Sequence, residues 1–147
     1  MDVEQELELY KTRNKWFEAY PTYFWYDLSS NPNELSLDFI RKYKSQLQWH
    51  YISKKRQDIN IDFIEEFKDY INFHQLLIWY NFSEDELRQY QDYLDFKLVF
   101  RFQKISIDFV KEFLQHFNKK MLYRNKNFTR SDKIRLGKLH KMYKDLI

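Results

Sequence analysis

Four aspartates, Asp38, Asp62, Asp85 and Asp108, recur at intervals of 23 or 24 residues, and two of the four histidines, His50 and His74, stand 24 apart. Carboxylates in pairs can do acid–base chemistry, and histidines in pairs can hold a metal. A catalytic carboxylate pair needs unlike environments that push its two pKa values apart, and four equivalent positions are the reverse of that. Each Asp follows a Ser or Asn by two residues, in what reads as the first turn of a helix, where negative charge offsets the helix dipole. The histidines have no second His at i+3 or i+4, and the chain has no Cys, so closed zinc spacing is missing. One glycine, Gly137, cannot build a phosphate-cradling loop. No nucleophile elbow or H-E-x-x-H helix is present. The expectation is a protein without catalysis, metal or cofactor.

The elements behind those aspartates are helices. Ser36, Asn60, Ser83, Ser106 and Thr129 fall 24, 23, 23 and 23 residues apart, and all five are good N-cap types. An apolar residue precedes each one (Leu35, Ile59, Phe82, Ile105, Phe128), and Ile40, Ile64, Leu87 and Val110 follow four residues after the first four, as in a hydrophobic staple. Three residues after the cap come Phe39, Phe63 and Phe109, with Glu86 the exception. Seven after it come Tyr43, Phe67, Tyr90, Phe113 and Leu136; eleven after it, Leu47, Ile71, Leu94 and Phe117. At about 100° per residue these make one apolar stripe on a helix of about three turns. A second apolar cluster, beginning at Trp49, Phe73 and Phe96, suits a short return helix. Helices this short are marginal alone in water, so each unit must bury its stripe against its neighbours.

The expected fold class is therefore all-α: tandem short helical hairpins stacked into a small solenoid or a compact helical bundle. Residues 1–147 read as a single domain. Residues 1–34 form an N-terminal helix, ending before Pro21, and a degenerate leading unit in which Trp25 stands to Ser36 as Trp49 stands to Asn60. Residues 35–118 are the repeats, and 119–147 form a basic capping unit. The phrase L-S-x-D-F-I-x-x-Y/F followed by W-x-x-I-S, best written in Leu35–Ser53 and again in Ile59–Phe67 and Ile105–Phe113, resembles tandem helical repeats in proteins of large DNA viruses and some phages. That resemblance implies a viral origin and an interaction or structural role, with no catalytic residue to carry over.

Charge is segregated. From residue 119 on there are ten Lys/Arg against two Asp, a net +8; the rest holds fifteen against twenty acids, a net −5, which gives the formal +3. Lys119, Lys120, Arg124, Lys126, Arg130, Lys133, Arg135, Lys138 and Lys141 form the candidate partner-binding basic face, with Lys144 beyond them. Aromatics supply 20% of the chain, more than a core of this size requires, and Tyr51, Tyr80 and Tyr93 are candidate interface anchors. No apolar run reaches the ~18 residues of a membrane span, and the acidic start is the wrong chemistry for a targeting signal. The reading is a non-enzymatic interaction module, a virion component or an inhibitor of a host factor, in the cytoplasm of the host cell or in the virion. Its partner is expected to be a protein. Nucleic acid bound through residues 119–144 is the alternative, and a self-assembling homo-oligomer the third.

Overall fold

Ser36, Asn60, Ser83, Ser106 and Thr129 each accept the backbone N–H three residues on, at 2.9 to 3.2 Å. Each opens a helix. The computed structural model describes Met1 to Ile147 and is all-helical, without a strand. Its eleven α-helices are α1 (Val3–Arg13), α2 (Pro21–Ser30), α3 (Leu37–Tyr43), α4 (Trp49–Lys55), α5 (Ile61–Phe67), α6 (Phe73–Trp79), α7 (Glu84–Gln89), α8 (Phe96–Phe102), α9 (Ile107–Glu112), α10 (Lys119–Arg124) and α11 (Arg130–Leu146). No helix is long and apolar enough to cross a membrane.

Two expectations need correction. The repeat helices run six or seven residues, about two turns rather than three. Past the residue seven after the cap the chain bends, through turns closed onto the Tyr43 and Phe67 carbonyls or through 3₁₀ segments at Gln91–Tyr93 and Leu114–His116. Leu47 and Ile71 are therefore buried from the turn and not from the helix. The N-terminal helix also stops early, at Arg13, where Asn14 leaves helical geometry at φ −113°, ψ 87°. Pro21 does not merely follow a helix; it occupies the first position of α2, where its missing N–H is no loss.

The chain divides into two compact units, Met1–Asn72 and Phe73–Ile147. In the first, α1 packs on α3 and α2 on α4. Trp25 lies 6.4 Å from the Phe39 ring and 5.2 Å from Tyr43; one period later Trp49 lies 6.3 Å from Phe63 and 5.2 Å from Phe67. The rings within each pair, Phe39–Tyr43 and Phe63–Phe67, both sit 4.7 Å apart. Trp25 thus does the work of Trp49, although it stands in mid-helix and Trp49 opens one. In the second unit α6 packs on α8, α8 on α10, and α9 on α11. There Phe73 meets Tyr90 at 5.6 Å and Phe96 meets Phe113 at 4.8 Å. Glu86, which replaces the expected Phe, instead closes a capping box on the Ser83 N–H.

Buried polar side chains stitch consecutive repeats. Arg56 donates to the carbonyls of Pro32 and Leu35, Gln103 to those of Leu77 and Tyr80, and Asn125 to those of Phe100 and Gln103, all at 2.6 to 2.9 Å. Each sits just past the end of a return helix and reaches the end of the preceding repeat. Lys133 of α11 makes the corresponding reach to the Tyr123 carbonyl, one period after Phe100. Ser29 and Ser53, both fully buried, accept the N–H groups of Gln48 and Asn72 in the same 24-residue rhythm. The Glu6 carboxylate, also buried, accepts the Ser36 N–H and hydroxyl.

Phe63→Ala and Phe109→Ala are each expected to cost about 3–5 kcal/mol, read as a lowered midpoint in urea unfolding. Gln103→Leu removes the acceptor of the buried Phe82 N–H and the donor to two carbonyls. Its expected cost is about 1–3 kcal/mol for each group left unsatisfied, against no measurable change for Gln115→Leu on the surface.

Candidate interaction surfaces

On α2 the inward stripe is Phe24 and Leu28, both buried. Opposite it stand Tyr23, 72% exposed, and Tyr26, 48% exposed, with Tyr20 just before the helix and Trp16, 69% exposed, in the turn that leads into it. These four rings, with Asn14 and the Asp27 carboxylate, line an open groove of about 710 Å³. No cation of the chain makes an ion pair or hydrogen bond with the Asp27 side chain. Exposing so many aromatic faces together is unfavourable in water and marks a contact surface. A signal for it stood in the sequence: Tyr20 to Tyr26 holds five aromatics in seven residues, and a helix with one buried stripe must turn some of them outward.

Tyr51 adjoins this region. Its hydroxyl lies 2.7 Å from that of Tyr26, the rings meet edge to face at 5.1 Å, and the Lys55 ammonium sits over the Tyr51 ring at 5.4 Å. The hydrogen bond to Tyr51 raises the pKa of the Tyr26 hydroxyl. Tyr80 is half-buried between Trp79 and Phe82, and burial raises its pKa. Tyr93 is exposed at 44%, its ring 5.2 Å from Phe73.

Of the basic residues, Lys119, Lys120, Arg124, Lys126, Arg130, Arg135, Lys138 and Lys141 are exposed and Lys133 is half-buried. None of the ten cations from residue 119 on makes an ion pair. Upstream the habit is different: Arg41 bridges Asp38 and Glu66, and Arg88 bridges Asp85 and Glu112. Those bidentate contacts hold the Glu66 and Glu112 carboxyls below their usual range. Three of the four periodic aspartates, Asp38, Asp85 and Asp108, pair with the cation three residues on.

His50 and His74 are exposed on α4 and α6, and no three His, Asp or Glu side chains come together as a metal site. His116 stacks on Phe96 at 4.4 Å, and His140 lies 4.5 Å from Phe117.

The chain matches no family model, no curated protein and no solved structure.

The functional reading therefore rests on these surfaces. Two of them, the aromatic groove and the unpaired basic face, carry chemistry that the fold itself does not use. Burial, and secondarily Lys144, holds His140 below the ordinary histidine pKa. Its contribution to stability is full above the unfolded-state pKa of about 6.5 and is lost as pH falls through that value toward the lower folded one. The melting temperature is expected to drop as pH falls from above that unfolded-state value toward the lower folded one, and His140→Phe to flatten that slope.

Proposed function

We propose that this chain is a non-enzymatic interaction module, encoded by a virus or phage, that binds a protein partner through the aromatic groove of its N-terminal unit. Four exposed rings around an unpaired carboxylate carry this reading. Aromatic faces attract cations, and the free Asp27 carboxylate supplies a charge for a cation to pair with. The favoured occupant is a partner segment that places a Lys or Arg among apolar residues. The rest of the fold supplies a rigid mount, since Trp25, Ser29 and Leu28 on the other faces of α2 are locked into packing and hydrogen bonds. In the biological setting proposed, the partner is a virion component or a host factor that the module blocks.

Peptide selection from a displayed random library tests the chemistry directly. The enriched sequences are expected to carry a Lys or Arg flanked by apolar side chains. Trp16→Ala with Tyr23→Ala should abolish the selection without lowering the melting temperature, because neither side chain is buried. Asp27→Asn should weaken the selected peptides about tenfold, the effect of removing a charged hydrogen bond. Selection of acidic or purely polar peptides, or of none, would sink the reading. Concentration-dependent self-association abolished by the same double substitution would make the occupant a second copy of the chain.

A further inference from the structure

The only glycine of the chain occupies a place where the fold does not need it. Gly137 lies in the middle of α11, its φ is negative, and a Cβ added there would meet nothing within 4 Å. Glycine is the poorest helix former after proline, so an alanine would serve the isolated helix better. Around it, Arg130, Lys133, Lys141 and Lys144 fall within an arc of about 80° on the helix and span about 21 Å of its length. Gly137 lies at the centre of that arc.

We infer that this face of α11 binds the phosphate backbone of a nucleic acid, and that Gly137 is the bare point at which a strand comes closest to the helix. Arg130, Lys141 and Lys144 are exposed, Lys133 and Gly137 are half-buried, and no apolar residue shares the arc. A protein–protein interface is built around an apolar core, whereas a phosphate backbone asks only for positive charge. The charge is also uncommitted, since no residue beyond 112 forms an ion pair. Asp132, the one carboxylate in the first turns of α11, is held in the capping box with Thr129. Lys133, whose ammonium donates to the Tyr123 carbonyl at 2.9 Å, joins the end of α10 to the arc. With no side chain at 137, a phosphate can lie against the helix backbone and be met by Arg130 on one side and by Lys141 and Lys144 on the other.

Fluorescence anisotropy of the full chain with a labelled mixed-sequence DNA duplex, and with one of its single strands, tests this. With about four phosphate contacts, affinity for the duplex should fall about 10²-fold between about 50 and 200 mM salt. Lys141→Gln and Lys144→Gln should each lower the salt slope by about one, whatever the probe sequence. Gly137→Leu should raise the melting temperature yet weaken binding at least tenfold. Trp16→Ala with Tyr23→Ala should leave DNA binding intact, which keeps this proposal separable from that of the aromatic groove. Three results would overturn it: no binding at about 50 mM salt, a salt slope indifferent to Lys141 and Lys144, or displacement of the DNA by polyglutamate at equal charge, which would point to an acidic protein. Unchanged affinity in Gly137→Leu would make the glycine a remnant of the register at which the other first helices end.

Discussion

Helices of six or seven residues do not persist alone in water, and in this protein they persist because large rings clamp one repeat to the next. Trp25 on Phe39 and Tyr43, Trp49 on Phe63 and Phe67, and Phe96 on Phe113 are the same contact written three times, with centroid distances that agree closely within the first unit. Helix formation and packing cannot be separated under such conditions. The cap sets the entry angle, the entry angle aims the ring pair, and the ring pair is covered only when the return helix of the preceding repeat is in place. The heavy aromatic content follows from this arrangement, because a two-turn helix offers few positions and each buried one must contribute a large area.

Polar groups complete what the rings begin. A stack of short helices has many ends, and every end leaves backbone groups without intrahelical partners. Side-chain caps satisfy the start of the first helix in every repeat. Arg56, Gln103 and Asn125 satisfy the finishes, reaching carbonyls 21 to 26 residues earlier in the chain. The apolar contacts and the polar stitches share one period, so a shift in register would lose both together.

Much of this was legible beforehand. The five caps, the apolar positions three, four and seven after them, and the place of Trp25 follow from spacing and side-chain type, because capping and burial are local demands that repeat in every unit. Helix length was not legible, since the apolar residue eleven after the cap suits a third turn as well as a bend. The stitching residues were hidden for a different reason. A Gln or Asn between two apolar segments looks like ordinary surface, and only the return of the chain one period away turns it into a buried donor. The groove at Trp16, Tyr20, Tyr23 and Tyr26 does not show in the repeat register, because that register is at its weakest in the leading unit. Tyr51 came close to it, one ring away through Tyr26. The segregation of positive charge beyond residue 119 was plain in the sequence, but its lack of ion pairs and the arc on α11 needed the helix to be seen whole.

The reach of Lys133 to the Tyr123 carbonyl joins α10 to α11 by a bond of another kind. At Leu77 and Phe100 the corresponding oxygens are taken by the buried amides of Gln103 and Asn125; at Tyr123 the donor is a flexible, half-buried ammonium. A buried amide that lets go leaves its partner dry and unsatisfied, whereas an oxygen at the surface exchanges its donor for water at little cost. This junction therefore leans on solvated charge where its predecessors lean on enclosure.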